Sequence, residues 1–138
     1  RKLMPSEKTI QSYFAKAKKA SKQATYPKQK IGSVMVYSGK VIAIGYNTFK
    51  TNPLQKYYNK YRFASDPRNN GLVHAETMLL LKTRFLDLDW SRVSIYTYRE
   101  YKDGTLALAR PCIACQTALE ERGITNIYYT TPKGWKKL

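Results

Sequence analysis

The chain contains a single histidine and two cysteines, and these three residues restrict how it can fold. Cys112 and Cys115, in "RPCIAC", are three positions apart, so on a helix their sulfurs share one face, one turn from each other. Pro111 suits the start of that helix, where its missing N–H is not needed. Unpaired N–H groups and the helix dipole in a first turn favour thiolates. His74, in "VHAE", opens another helical pattern. Where helices cover a sheet, two such helix starts can meet at one sheet edge and bring the three donors together. One imidazole and two thiolates suit zinc and leave one coordination position open, which distinguishes a catalytic site from a closed structural one. Glu76, two residues after His74, is placed to take a proton from water acidified there.

The flanking pattern is compatible with that constraint. Ile10, Tyr13, Phe14, Ala17 and Ala24 recur at helical spacing after Pro5-Ser6, with Lys8, Lys16, Lys18, Lys19 and Lys22 on the other face. "IGSVMVY" and "KVIAIGYN" are β-rich runs joined by Ser38-Gly39, a hairpin signal. The polar stretch from Phe49 to Gly71 is long enough to be a substrate loop, with a short helix expected around "QKYYNKYRF". A second helix is expected from about His74 to Phe85, burying Met78, Leu79, Leu81 and Phe85. "RVSIYTYR" reads as a strand, and "EYKDGTLALA" as an excursion turning at Asp103-Gly104. A third helix starts near Pro111-Cys112 and stops at Gly123, a suitable C-terminal cap. "ITNIYYT" is the last strand expected, followed by a basic tail, "PKGWKKL". The expected order is α-β-β-α-β-α-β: a three-layer αβα domain over residues 1–138, with an antiparallel first hairpin and parallel later strands.

At 138 residues and 43% hydrophobic content the chain has the size and composition of one domain with one core. Its charge is unusual. Twenty-five Lys and Arg against nine Asp and Glu give a formal +16, which favours polyanions through counterion release from phosphates. No apolar run is long enough to span a membrane, and "RKLMPSEK" lacks the apolar core of a secretory signal. Two cysteines do not form a disulfide framework; kept reduced they are available as ligands, which points to an intracellular protein.

"HAE" at 74–76, "PCIAC" at 111–115 and the order of elements resemble the zinc-dependent nucleoside and nucleic-acid deaminase superfamily, over nearly the whole chain. The resemblance implies that His74, Cys112 and Cys115 bind Zn2+ and that Glu76 shuttles protons. It further implies that Asn47 contacts the sugar or base, and that the Ala75 N–H receives the pyrimidine carbonyl. The reaction implied is hydrolytic deamination at C4 of cytosine or C6 of adenine. The chain departs from many relatives at Arg110, where they carry Ser or Glu, and in its longer excursion from Glu100 to Ala109. By that resemblance the family's fifth strand and later helices are expected to be absent or reduced to "KGWKKL".

The charge directs the substrate reading toward single-stranded DNA or RNA, with cytosine as the first choice of base. Cations on phosphates with rings under bases is the recipe for single-strand binding. The expected path runs through Lys50, Lys56, Tyr57, Tyr58, Lys60, Tyr61, Arg62 and Arg68 of the long loop. Arg99 and Arg110 stand near the metal, Lys133, Lys136 and Lys137 follow the last strand, and Trp135 is expected at a neighbouring nucleotide. Three alternatives stay open: adenine deamination in RNA such as tRNA, deamination of free cytidine-type nucleosides or nucleotides, and a non-catalytic strand-binding module with structural zinc.

Overall fold

A computed structural model describes residues 4–26, 28–62 and 71–138. Helix α1 spans Glu7–Ser21 and is opened by Ser6, whose hydroxyl accepts the Thr9 N–H at 3.2 Å. Strands β1 (Ile31–Tyr37) and β2 (Lys40–Tyr46) form the expected hairpin. Ser38 and Gly39 both have positive φ, 51° and 75°, the geometry that lets a two-residue turn follow the strand twist. Helix α2 (Pro53–Tyr58) continues into a 3-10 turn over Asn59–Tyr61. It begins slightly before the expected segment because Asn52 caps it, accepting the Leu54 N–H at 2.9 Å. Then follow α3 (Ala75–Lys82), β3 (Ser94–Arg99), α4 (Ile113–Arg122), β4 (Asn126–Thr131) and β5 (Gly134–Lys137). Among the described residues no helix is long and apolar enough to cross a membrane.

The five strands form one mixed sheet in the order β2-β1-β3-β4-β5. Strand β1 is antiparallel to both β2 and β3, whereas β3 and β4 are parallel. Side chains alternate between the two faces. Val34, Val36, Tyr96, Tyr98 and Tyr128 meet Ile10, Tyr13, Phe14 and Ala17 of α1. Met35, Ile95 and Ile127 on the other face meet Leu79 and Leu80 of α3 and Ala118 and Leu119 of α4. The result is the expected three-layer αβα arrangement.

Two expectations are corrected. The second helix ends at Lys82, because Thr83 turns its hydroxyl back onto the Leu79 carbonyl at 2.7 Å. Phe85 therefore lies beyond the helix and is 88% exposed, while Leu80 takes a buried place and Met78 and Leu81 are half-buried. The basic tail is a strand: β5 pairs antiparallel with β4 and covers what would otherwise be an open sheet edge. The excursion after β3 closes as expected, with Tyr101 N–H donating to the Thr105 carbonyl at 2.8 Å.

Gly45 sets the height of α3 on the sheet, because a Cβ there would overlap the Ala75 carbonyl in the helix's first turn. Gly45→Ala is expected to cost about 1–3 kcal/mol by overpacking. It should also shift His74, so a urea midpoint and the zinc content of the purified variant should fall together.

Candidate metal centre and active site

Strands β2 and β3 run in the same direction because β1 is antiparallel to each, so the helices that follow them begin at one edge of the sheet. His74 holds the N-cap position of α3 and Cys112 that of α4. Neither side chain caps its helix, so both are free to turn toward each other. His74 Nδ1 lies 3.3 Å from Cys115 Sγ and 3.6 Å from Cys112 Sγ. All three donor atoms fall within 4.8 Å of one another. Bond lengths of ~2.0–2.3 Å in a tetrahedral zinc site place pairs of ligands about 3.5 Å apart, so the three donors fit zinc as they stand.

The electrostatics match that donor set. The Cys112 thiol is held well below the ordinary range by a hydrogen bond from Cys115 and by His74, against the opposing effect of burial. Cys115 moves the other way, as the donor of the pair and as a fully buried group. One proton shared between two sulfurs is readily displaced by a dication. Glu76 is 5% exposed, and burial raises its carboxyl above the usual carboxylate range. Its own backbone N–H, His74 and the Thr97 hydroxyl partly offset that rise.

A cavity of about 160 Å³ opens onto this cluster. Asn47, His74, Glu76 and Cys112 line it, and Tyr26, Arg99, Leu108 and Arg110 also form its walls. The Asn47 side chain accepts the Ile31 N–H at 2.9 Å and donates to the Gln29 carbonyl at 2.8 Å, tying the α1–β1 connection to the exit of β2. An amide offers two donors and two lone pairs, so one of each stays free for a ligand. Ala75 is buried as the first residue of α3, between the lining residues His74 and Glu76.

The other expected contacts are distributed differently. Arg99 lies at the cavity with Nη1 donating to the Leu108 carbonyl at 3.2 Å, and Arg110 is exposed beside it. Lys50, Lys56, Tyr57, Lys60 and Lys133 are exposed outside the cavity, with Lys60 Nζ 3.8 Å from the centre of the Tyr57 ring. Tyr58 and Tyr61 instead anchor α2, donating their hydroxyls to Glu121 of α4 at 2.8 and 3.5 Å. Arg62 is 7% exposed and so does not form part of a solvent-facing path. Trp135 packs on Tyr128 and donates to Glu7 of α1 at 2.9 Å, which places it away from the cavity lining. Arg68 lies outside the described residues.

The sequence profile described as the zinc-binding region of cytidine and deoxycytidylate deaminases matches residues 7–131. The chain belongs to the cytidine and deoxycytidylate deaminase family. A comparison with curated proteins finds no match. Solved structures share the fold at low identity. The dCMP deaminase of cyanophage S-TIM5 is 19% identical, with a TM-score of 0.66 over 92% of this chain and 86% of that one. The cytidine deaminase of Burkholderia pseudomallei is 18% identical, with a TM-score of 0.63 over 93% and 90%. That of Mycobacterium leprae is 20% identical, with a TM-score of 0.54 over 92% and 91%.

In this family member the zinc donors have a buried support that the local pattern does not signal. Gln55 of α2, 1% exposed, accepts the His74 N–H at 3.2 Å and the Thr77 hydroxyl at 2.5 Å. Its amide donates to Asn59 at 2.9 Å. Thr77 Oγ1 is also 3.5 Å from Cys115 Sγ, so one side chain links the long loop to two zinc-bearing segments. In sequence Gln55 looks like any polar loop residue; only tertiary contacts distinguish it. Gln55→Ala leaves the partly buried His74 N–H without its acceptor, at a cost of about 1–3 kcal/mol. Zinc affinity, measured by chelator competition, is expected to fall about 10–100-fold, as for other residues that orient metal ligands.

Proposed function

We propose that this deaminase hydrolyses the amino group of a base, with cytosine first, in single-stranded DNA or RNA. The observation that carries the reading is the size and lining of the cavity. Its volume of about 160 Å³ is comparable to an engineered cavity of ~150 Å³ that admits benzene, so it takes one ring and leaves the sugar and phosphate outside. Arg99 and Arg110 are placed at that cavity, where a guanidinium can grip a phosphate. The formal +16 supports a polyanion over an uncharged nucleoside. A base inside a duplex could not reach the cluster, so the substrate is single-stranded or flipped.

His74, Cys112 and Cys115 would hold zinc, which supplies Lewis acidity and lowers the pKa of water. Glu76 receives a proton from the attacking water and delivers it to the ring nitrogen beside the amino-bearing carbon. A carboxyl raised by burial keeps such a proton long enough to pass it on. The water oxygen stays on the carbon, Glu76 carries that oxygen's remaining proton to the amino group, the C–N bond breaks and ammonia leaves, converting cytosine to uracil. The Ala75 N–H, one of the unpaired donors of the α3 first turn, orients the ring carbonyl. Asn47 offers its remaining donor and acceptor to the sugar or base.

A second reading, deamination of a free pyrimidine nucleotide, is favoured by the activity named for the cyanophage relative, a dCMP deaminase. Deep sequencing of mixed DNA and RNA strands after incubation with the zinc-loaded protein separates the two. Cytosine-to-thymine reads support the strand reading; A-to-G reads would move the base to adenine. Ammonia release from dCMP with unaltered strands would establish the nucleotide reading instead. Glu76→Gln should keep its zinc and lose about 10²–10⁴-fold in turnover, whereas a non-catalytic zinc module would have no turnover to lose.

A further inference from the structure

We infer that the solvent face of α1 is the surface that holds the strand outside the cavity, a role that rests on the strand-deaminase reading above. From Lys8 to Ser65 the chain has twelve cationic residues and no acidic one. On α1 and its C-terminal end Lys8, Lys16, Lys18, Lys19 and Lys22 are all exposed, and Lys28 and Lys30 follow. Glu7 is the one acid of the helix, and its Oε2 already accepts from Gln11 at 3.0 Å and Trp135 at 2.9 Å. Lys16 and Lys19, and likewise Lys18 and Lys22, sit at spacings where like charges destabilise a helix. Bound phosphates would relieve that repulsion. The face around α3 and α4 differs: exposed Asp87, Asp89, Glu120 and Glu121 intersperse its cations.

Nucleic acid fits this face better than a lipid surface does. The large apolar residues of α1, Ile10, Tyr13 and Phe14, are buried against the sheet, which leaves no apolar stripe to insert among acyl chains. At ~1.5 Å per residue Lys8 and Lys22 are about 21 Å apart, the length of about six nucleotides at ~3.4 Å each. The helix also leads to the cavity. Thr25 donates to the Asn47 carbonyl at 3.2 Å and accepts the Phe49 N–H at 3.1 Å, and the next residue, Tyr26, lines the cavity. The Tyr26 ring is 5.2 Å from that of Phe49, which is 54% exposed, so a strand leaving α1 meets two rings before the cavity.

The test replaces Lys16, Lys18, Lys19 and Lys22 together with Gln, which keeps helix propensity, and checks the fold by circular dichroism. A control replaces Lys40, Lys82, Arg84 and Arg92 with Gln, for the same net charge on other surfaces. Binding to labelled DNA and RNA strands of about 20 nucleotides is measured across salt. The α1 variant should bind about tenfold or more weakly, with a log–log salt slope shallower by roughly 0.7 for each phosphate it no longer neutralises, while the control stays near the parent. Its kcat/KM on a trinucleotide should stay within about twofold, because that substrate occupies the cavity and its rim. Equal weakening in both variants, an unchanged α1 variant, or stronger binding to anionic vesicles than to strands would each overturn the assignment. If the parent neither binds nor deaminates strands but turns over dCMP, the strand-deaminase reading itself fails. If strands are deaminated and the α1 variant behaves like the parent, only the assignment of this face fails.

Discussion

Two helix starts meeting at one sheet edge is the constraint on which this molecule depends. The meeting sets the donor atoms of His74, Cys112 and Cys115 within 4.8 Å of one another, with the buried Glu76 lining the same cavity. A dication held by two thiolates would be formally neutral, and such a charge balance suits a buried site. Metal binding is then part of the folding energy as well as of the chemistry. Several features that look like ordinary packing serve to keep the two helix starts in place. Gly45 lets α3 sit low on β2, and Gly123, at φ 102°, ends α4 with its N–H on the Glu120 carbonyl. Gln55 fixes the His74 backbone and, through Thr77, approaches Cys115.

Strand order accounts for the location of the site. With β1 antiparallel to β2 and β3, both neighbours deliver their helices at the same end, as expected where ligands bind beyond the carboxyl ends of an α/β sheet. Helix N-termini at that end bring partial positive charge, which favours thiolates and phosphates alike. The same end receives the α1–β1 connection through Asn47, so one edge of the sheet gathers the metal donors and the cavity that opens onto them.

What could be read from the sequence follows from how local each signal is. His74, Cys112, Cys115 and Glu76 stand out because such donors are rare in this chain and each pair opens a helix after a strand. The hairpin at Ser38-Gly39 and the cap at Gly123 are visible because the backbone conformation itself demands those residues. Strand β5 is not visible: four residues, three of them Trp or Lys, become a strand only because β4 offers an edge. Tyr58 and Tyr61 look like stacking residues beside lysines, yet their partner is Glu121, some sixty positions away and on another helix. Arg62 and Gln55 are polar residues in a polar segment, and nothing local marks them as buried.

Most of the exposed positive charge lies away from the cavity, with Arg99 and Arg110 at its lining. On the proposed reading, the ring-sized cavity and Glu76 would distinguish a base by shape, hydrogen bonding and proton transfer at short range, interactions that salt barely affects. On the same reading, the cations of the first half of the chain would act through a field that decays within about 10 Å at 0.1 M salt and carries no information about base identity. Raising ionic strength should therefore weaken capture while leaving the chemistry of a base already in the cavity intact. The chain can on this basis combine a fold shared with deaminases named for cytidine and dCMP with a strongly cationic surface, because changing exposed lysines leaves the three donors and the strand order untouched.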